Sequence, residues 1–249
     1  MNATPLVLLH GYPFDHTMWT KVRAHLSHEV LAPDLRGFGA TPAGHEPPSL
    51  DLMADDVARL LDEQKIARAI VAGFSMGGYV ALAFAERHAG RLEGLGLINS
   101  QTLGDTEETR TGRRAMIERV RREGPGPAVQ AAIPKLFAPA NPARTELAQF
   151  ALKAAEKAGV PGITWALEAM AQRPDRSSVL EHLQVSVLLV HSAEDQFIPV
   201  ERARALAERL PRSLYLEIAH TGHCSPLEAP ELVAKALSEL ATKVEAQSR

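Results

Sequence analysis

Residues 69–78 read AIVAGFSMGG. The apolar run that opens this stretch is typical of a buried β-strand, and the alanine-rich segment Val80–Ala85 after it is typical of an α-helix. Between them, Gly73, Ser75 and Gly77 form the pattern G-x-S-x-G, in which a sharp turn pushes the serine side chain out over the sheet. Neighbouring backbone leaves no room for a Cβ atom at the two flanking positions. The stretch therefore predicts a strand–turn–helix unit with Ser75 as candidate nucleophile and Gly73 and Gly77 as its turn glycines.

The same alternation of strand-like and helix-like segments continues on both sides of this turn. Such alternation predicts an α/β fold with a mostly parallel, doubly wound sheet of about six strands covered by helices on both faces. The strand-like runs are Leu6–Leu9, Val30–Ala32, Ala69–Ala72, Leu95–Ile98, Val185–Val190 and Leu214–Ile218. The helix-like segments outside the middle of the chain are Thr17–Leu26, Leu50–Leu61, Tyr79–His88, Pro199–Leu210 and Pro230–Leu240.

The middle of the chain has no strand-like run. Its helix-like segments are Arg110–Arg122, Ala128–Phe137, Thr145–Lys157 and Ile163–Gln172, with prolines between and within them. We therefore expect residues 105–179 to form a helical cap, or lid, inserted in a core domain made of residues 1–104 and 180–249. Open α/β sheets bind ligands at the carboxyl ends of their strands, so such a cap would lie over the ligand. An ordinary helical subdomain with no gating role is the alternative.

A serine hydroxyl is a weak nucleophile that needs a base to take its proton, and the base needs an anion to orient it. In sites built on this turn the chain order is serine, acid, histidine. Asp195 and His223 each follow the carboxyl end of a late strand-like run, on the sheet edge expected to carry Ser75. We predict that these three residues form a catalytic triad. Three alternatives stay open: Glu194 or Asp105 as the acid, and His220 as the base.

Attack on a carbonyl group also needs two backbone N–H donors for the oxyanion that develops. One donor is expected from Met76, the residue after the candidate nucleophile. The other is expected from the loop His10-Gly-Tyr-Pro13 after the first strand, where Tyr12 is the best candidate because proline has no N–H. Met76 and Tyr12 are therefore the predicted oxyanion-hole residues.

Composition excludes several classes of protein. The chain has 249 residues, 27 Lys and Arg against 30 Asp and Glu, and a net charge of −3, which gives no electrostatic footprint for nucleic acid or an anionic membrane surface. The single cysteine, Cys224, allows neither an internal disulfide nor a cysteine-based metal cluster. No targeting or membrane-spanning segment is recognisable, so we expect a cytoplasmic location.

Five segments together resemble the α/β-hydrolase fold family of serine hydrolases. They are His10-Gly-Tyr-Pro13, Asp34-Leu-Arg-Gly37-Phe-Gly39, Gly73-Phe-Ser75-Met-Gly77-Gly78, Asp195 with Pro199, and Gly222-His223 with Glu228 and Pro230. The resemblance implies Ser75 as nucleophile, His223 as base and Asp195 as orienting acid, with no metal and no cofactor. The family's opening hairpin is expected to be missing.

Within this family, the cap is loosely similar to those of enol-lactonases and small carboxylesterases. The resemblance implies hydrolysis of a small-molecule ester or lactone through an acyl-enzyme, as in a carboxylesterase. Enol-lactonase, C–C bond hydrolase and perhydrolase activities are alternatives with the same triad, and a non-catalytic ligand-binding member is the alternative outside enzymes. The basic run from Arg113 to Arg122 is interpreted as a solvated helix face rather than an anion site.

Overall fold

The computed structural model describes residues 4–247, and its six strands form one sheet in which all pairings are parallel. The spatial order is β2-β1-β3-β4-β5-β6. The predicted α/β fold with a parallel sheet of about six strands is confirmed. The strands are β1 (Leu6–Leu9), β2 (Val30–Leu31), β3 (Ala69–Phe74), β4 (Leu92–Ile98), β5 (Ser186–Ser192) and β6 (Leu214–Ile218).

The central strands β1, β3 and β5 are buried along their whole length, which is why apolar residues dominate them without alternating with exposed polar ones. The edge strand β2 is only two residues long and is half-buried. Strand β4 begins three residues earlier than predicted, because Glu93 and Gly94 interrupt its apolar pattern although both lie in the strand.

Helices cover both faces of the sheet because the chain crosses it in two directions. The step from β1 to β2 runs one way, whereas the steps from β2 to β3, β3 to β4 and β5 to β6 run the other way. Right-handed crossovers in opposite directions place their helices on opposite faces. Accordingly, α1 (Thr20–Ala24) packs against the C-terminal helix α10 (Pro230–Gln247), and α2 (Leu50–Glu63) packs against α3 (Met76–Arg87).

The described chain between β4 and β5 is helical. It contains α4 (Glu107–Glu123), α5 (Pro125–Val129), α6 (Arg144–Ala171) and α7 (Ser177–His182); α8 (Val200–Arg209) and α9 (Ser225–Glu228) come later. Two predicted helices, Thr145–Lys157 and Ile163–Gln172, are the halves of α6, which kinks at Gly159. The predicted helix Ala128–Phe137 was wrong as one element: it is the end of α5 followed by a short 3-10 turn, Ile133–Leu136, that contains Pro134.

This helical segment touches the rest of the molecule by close backbone contacts. A Cβ atom on Gly162 of α6 would lie 1.9 Å from the carbonyl oxygen of Gly37, and one on Gly222 would lie 2.4 Å from the amide nitrogen of Ala138. The Lys157 ammonium group adds an ion pair of 2.6 Å with Asp15. The contacts place the helical segment against the loops that follow β1, β2 and β6.

None of the helices within residues 4–247 combines the length and the apolar character that crossing a bilayer requires.

Candidate active site

Ser75 occupies the sharp turn between β3 and α3. Its backbone has φ 50° and ψ −112°, a left-handed conformation that costs a non-glycine residue about 1–3 kcal/mol. The end of β4 and the loop after it hold both polar groups of the Ser75 backbone: the Ser75 N–H donates to the carbonyl of Ile98 over 2.9 Å, and the Ser100 hydroxyl donates to the carbonyl of Ser75 over 2.9 Å. The serine therefore stands at the carboxyl edge of the sheet, at the N-terminus of a helix.

The two glycines of the turn are required by close backbone contacts. A Cβ atom on Gly73 would lie 2.0 Å from the carbonyl oxygen of Gly77, and a Cβ atom on Gly77 would lie 2.2 Å from the carbonyl oxygen of Leu9. Both distances are far inside van der Waals contact, and the opposing atoms belong to backbone that side-chain motion cannot displace. The turn is thus packed directly against the loop after β1.

The structure brings Ser75, His223 and Asp195 into one hydrogen-bonded chain. His223 Nε2 lies 2.9 Å from Ser75 Oγ, and His223 Nδ1 lies 2.7 Å from Asp195 Oδ2. An ionised carboxylate can only accept, so Nδ1 carries the proton and Nε2 is free to accept the serine proton. The imidazole is buried and its ring contacts Phe74 and Phe197, with centroids 5.1 and 5.3 Å away.

The surroundings of Asp195 keep its carboxylate ionised. Burial by itself raises the pKa of Asp195, but the positive charge and hydrogen bond of His223, the Ile198 N–H and the Asn99 amide outweigh it and lower the pKa to about 2. The N–H groups of Phe197 and Ile198 donate to Oδ1 over 2.8 and 3.0 Å. The acid is therefore a fixed anion that orients the imidazole.

Asn99 is a site residue that the sequence analysis missed. It follows β4 directly, is fully buried, and donates from Nδ2 to Asp195 Oδ2 over 3.0 Å. Its own Oδ1 accepts from the hydroxyl of Ser225 over 2.6 Å, which fixes the orientation of the amide. A polar residue immediately after a central strand was the available signal, since the carboxyl edge of the sheet is where the other site residues lie.

The predicted oxyanion donors both have unused N–H groups. Met76 is the first residue of α3, where a backbone N–H has no partner inside the helix. Within the part of the chain that the structure describes, neither Met76 nor Tyr12 donates its N–H to another residue. The loop that carries Tyr12 packs on the turn, because a Cβ atom on Gly11 would lie 3.0 Å from the carbonyl oxygen of Phe74.

His10 holds this loop in place. The Leu35 N–H donates to His10 Nε2 over 2.9 Å, and His10 Nδ1 donates to the carbonyl of Gly11 over 3.1 Å. Burial lowers the pKa of His10 to about 4, against smaller raising effects of the Gly11 hydrogen bond and nearby carboxylates. A neutral imidazole at physiological pH is the form that this arrangement requires, because one nitrogen must accept.

The alternatives to Asp195 and His223 lie elsewhere. Glu194 and His220 face one another across 3.6 Å at the surface, with side chains 37% and 92% exposed. Asp105 is buried, but it pairs with Arg113 and Arg173 at the start of the helical segment. The structure therefore brings neither alternative acid into contact with His223.

Glu228 links the histidine loop to the helical segment. One oxygen accepts from the Gly222 N–H over 3.0 Å, and the other accepts from the Ala138 N–H and the Asn141 side-chain amide, each over 2.9 Å. Burial raises the pKa of Glu228 despite these three hydrogen bonds. Cys224 beside the histidine is also buried, and its N–H donates to the carbonyl of Leu136 over 3.0 Å.

One group of residues has the spacing of a metal site. Asp15, His16 and Asp34 offer ligand atoms within 4.8 Å of one another. These groups are already engaged: His16 Nδ1 lies 2.6 Å from Asp34, and the Lys157 ammonium group lies 2.6 Å from Asp15. A cation in this position would face that ammonium group, so the cluster is a network that joins two loops to α6.

Comparisons with known proteins agree with this fold. A family model described as "Alpha/beta hydrolase family" matches residues 6–236. The chain is similar to the solved structure of a thermophilic esterase from Thermogutta terrifontis with malate bound, at 36% identity and a TM-score of 0.92, covering 98% of this chain and 91% of that one.

Two further relatives are enzymes of related kinds. An enol-lactonase from Burkholderia xenovorans LB400 has a TM-score of 0.84 and 27% identity, over 97% of this chain and 92% of that one. A pimeloyl-[acyl-carrier protein] methyl ester esterase from Aromatoleum aromaticum is 29% identical, over 93% of this chain and 95% of its own length.

Proposed function

The chain belongs to the alpha/beta hydrolase family, and on that premise we propose that it is a serine hydrolase that cleaves carboxylic esters or lactones of small molecules through an acyl-enzyme. The observation that carries the proposal is the hydrogen-bonded chain from Ser75 Oγ through His223 to Asp195. In this chain an ionised acid orients an imidazole whose free nitrogen faces a hydroxyl, which is the arrangement that makes serine nucleophilic.

In the first half-reaction Ser75 Oγ attacks the ester carbonyl carbon while His223 Nε2 takes the hydroxyl proton. The carbonyl π electrons move to oxygen, and the resulting oxyanion accepts hydrogen bonds from the N–H groups of Met76 and Tyr12. The tetrahedral intermediate then collapses: the bond to the alkoxide breaks, and the imidazolium returns its proton to that oxygen. An ester releases an alcohol at this point, whereas the hydroxyl of an opened lactone remains attached to the acyl chain.

In the second half-reaction water replaces the serine. His223 takes one proton from the water, whose oxygen attacks the acyl carbon, and then gives that proton to Ser75 Oγ as the acyl–oxygen bond breaks. The carboxylic acid leaves and the starting hydroxyl is restored. Asp195 stays ionised throughout and stabilises the imidazolium in both halves, as its low pKa requires.

The substrate class and the cap belong to the same proposal. Relatives named as esterases and as an enol-lactonase support an ester or lactone carbonyl as the reacting group. Residues 105–179 are proposed to act as a cap, and their contacts with the loops after β1, β2 and β6 support this role. The cap would then set which acyl groups reach Ser75.

The first prediction tests the nucleophile. A fluorophosphonate probe should label the folded protein, and a series of nitrophenyl esters of increasing acyl length, measured beside an enol-lactone, should be hydrolysed. The Ser75→Ala variant should lose labelling and at least about 10⁴-fold in kcat, because oxyanion stabilisation cannot replace the nucleophile. Labelling that survives in Ser75→Ala, or no labelling of the folded wild type, would contradict the proposal and favour a ligand-binding member of the family.

A matched pair of histidine variants provides the control. His223→Ala should lose several orders of magnitude in kcat, whereas His220→Asn, three residues earlier on the same loop, should keep wild-type kcat because its side chain lies in solvent. Asparagine tolerates the left-handed backbone of position 220, where φ is 55°. Equal losses in the two variants would assign the effect to the loop and not to the imidazole.

A further inference from the structure

The loop that carries the proposed base is held by the core at its two ends. The Glu194 N–H donates to the carbonyl of Thr221 over 3.0 Å, and the Ser225 hydroxyl donates to Asn99 Oδ1 over 2.6 Å. These contacts lie two residues before and two residues after His223. The core therefore fixes the ends of this loop but not the residues on either side of the histidine.

Those two neighbouring residues are held by other parts of the chain. The Gly222 N–H donates to Glu228 Oε1 over 3.0 Å. The Cys224 N–H donates over 3.0 Å to the carbonyl of Leu136, which belongs to the helical segment. The peptide groups on both sides of His223 therefore take their positions from contacts outside the core loops.

Glu228 connects the Gly222 N–H with the helical segment. Its second oxygen, Oε2, accepts from the Ala138 N–H and from Asn141 Nδ2, each over 2.9 Å. All three partners donate, and an ionised carboxylate is the form that only accepts. Among residues 4–247 no cationic side chain forms an ion pair with this carboxylate, so the three N–H groups are what stabilises its charge.

The carboxylate transmits the position of the helical segment to the histidine loop. Its two oxygens belong to one rigid planar group but bind different segments, so a shift of Ala138 and Asn141 also moves the oxygen that holds Gly222. The next residue is His223, whose Nε2 must lie 2.9 Å from Ser75 Oγ. A misplacement of about 1 Å near a reacting group can lower a rate by about a hundredfold. The bridge can therefore affect the rate without contact with the reacting atoms.

We propose that Glu228 is a positioning residue for the proposed base, and that His223 is aligned with Ser75 only while residues 136–141 are seated on the histidine loop. This inference rests on the proposed function and adds that a short stretch of the helical segment controls the base. Substrate entry would then need movement of other parts of the segment, such as α4 or α6, because displacement of residues 136–141 would misalign the imidazole.

Glu228→Gln tests the bridge with a side chain of the same size. One end of glutamine accepts but the other carries an NH2 group, so either the Gly222 N–H or the Ala138 N–H must face a donor. On a nitrophenyl ester, kcat should fall about tenfold to a hundredfold while KM changes little. Kinetics are measured well below the melting temperature of each variant, so they report on folded protein. Wild-type kcat in Glu228→Gln would overturn the proposal.

Asn141→Ser tests the bridge from the side of the helical segment. It removes the amide that donates to Glu228, whereas its hydroxyl can still accept from the Ala143 N–H, as the Asn141 side chain does over 2.9 Å. The loss in kcat should be smaller than in Glu228→Gln, because the Ala138 N–H still binds the carboxylate. Unchanged kcat in this variant would overturn the dependence of the base on residues 136–141.

Glu231→Gln is the matched control. It removes the same charge three residues after Glu228, where the side chain is 79% exposed and lies 3.9 Å from His25 at the surface. Its kcat should equal that of wild type. A loss equal to that of Glu228→Gln would assign the effect to the net charge of this region, and that result would overturn the bridge.

A proton NMR signal decides the proposal independently of activity. The proton on His223 Nδ1, hydrogen-bonded to Asp195 over 2.7 Å, should give a far-downfield signal that His223→Ala lacks. The signal should weaken or shift in Glu228→Gln and stay in place in Glu231→Gln. A lower kcat with an unchanged signal would overturn the positioning role, because the imidazole would then still be aligned.

The same two readouts separate this proposal from the proposed function. If no ester is hydrolysed but the signal responds to Glu228→Gln and not to Glu231→Gln, Glu228 does orient the imidazole and the proposed function fails. If esters are hydrolysed in a Ser75-dependent way while Glu228→Gln changes neither kcat nor the signal, the positioning role is overturned and ester hydrolysis stands.

Discussion

At the scale of single residues, Asn99 holds the Asp195 carboxylate by a hydrogen bond from its side-chain amide. Its amide donates to the carboxylate oxygen that also accepts from His223, and Ser225 in turn orients the amide. The orientation of the imidazole therefore depends on a side chain that does not touch Ser75. We therefore propose that Asn99 is a positioning residue, which acts through Asp195.

Replacement of Asn99 by glycine should lower kcat about tenfold to a hundredfold, because a hydrogen bond to a charged group contributes about 1.5–3 kcal/mol. Glycine tolerates the backbone of this position, where φ is 43°, so the variant isolates loss of the amide. Steady-state kinetics on a nitrophenyl ester measure the effect, and KM should change little. Ser192→Ala, which loses only a 3.4 Å hydrogen bond to Asn99, should be nearly wild type; unchanged kcat in a folded Asn99→Gly would contradict the role.

The sequence predicted the residues whose chain order and strand-end position are set by the chemistry, and the structure brings Ser75, Asp195 and His223 together. It did not predict Asn99, since an asparagine after a strand is equally typical of a turn. It also did not distinguish Arg113 from the other arginines of α4. Arg113 differs from its exposed neighbours because it contacts Asp105. This contact depends on how α4 packs against the chain that enters the helical segment after β4.

At the scale of elements, the turn between β3 and α3 is assembled by backbone packing against the loop after β1. Gly77 is the contact point, because its Cα faces the carbonyl of Leu9. Any side chain there must push apart the two loops that carry the proposed nucleophile and one proposed oxyanion donor. Stability and activity are thus coupled at this position.

Gly77→Ala should destabilise the protein by about 3 kcal/mol or more, because the added methyl group would meet immovable backbone. Urea denaturation measures the loss. Gly90→Ala is the control: no atom lies within 4 Å of its would-be Cβ, so its free energy of unfolding should stay within about 1 kcal/mol of wild type. Similar stabilities of the two variants would show that the turn relaxes more easily than its geometry indicates.

The elements themselves were predicted well where one physical cause dominated. Buried parallel strands produce continuous apolar runs, so five strands were located within a few residues, and the short edge strand β2 to within one. The helices of the middle segment were less predictable, because Gly159 and Pro161 kink α6 without ending it and Pro134 lies in a 3-10 turn. Proline marks a disturbed helix but does not specify how the chain continues.

At the scale of the whole molecule, buried neutral histidines make the fold sensitive to mild acid. His10 joins the loops after β1 and β2, and its pKa is lowered to about 4 by burial. Burial also lowers the pKa of His191, whose Nε2 lies 2.8 Å from the carbonyl of Ile198. In the unfolded chain these histidines have a pKa of about 6.5 and bind protons below that pH, whereas in the folded protein they stay neutral. Protons therefore bind the unfolded state preferentially, and the free energy of unfolding falls as the pH falls.

The free energy of unfolding should therefore drop by about 2 kcal/mol between pH 7 and pH 5 through His10 alone. Each pH unit below the unfolded pKa of about 6.5 removes about 1.36 kcal/mol, and pH 5 lies about 1.5 units below it. His10→Gln, which keeps an acceptor for the Leu35 N–H, should lose this part of the pH dependence even though it is less stable at pH 7. Urea denaturation at the two pH values measures both slopes. Identical slopes would show that His10 is protonated in the folded protein.

The sequence did not predict how the helical segment packs against the rest of the molecule. It depends on Gly162 facing Gly37 and on Gly222 facing Ala138, two close approaches between residues far apart in the chain. Glycine is common in loops for many reasons, and only the assembled molecule distinguishes those that allow backbones to touch.

The shared carboxylate of Glu228 also restricts how new substrate preferences can be engineered. Chimeras that exchange the whole of residues 105–179 would carry away Ala138 and Asn141, which Glu228 binds, and leave the loop of the proposed base half unanchored. A graft that exchanges residues 105–136 and 142–179 separately would retain that short stretch of the recipient; it has two internal seams, one before Phe137 and one after Asn141, in addition to the two outer ones. A chimera should therefore exchange α4 and α6 together and keep residues 137–141 from the same protein that supplies His223.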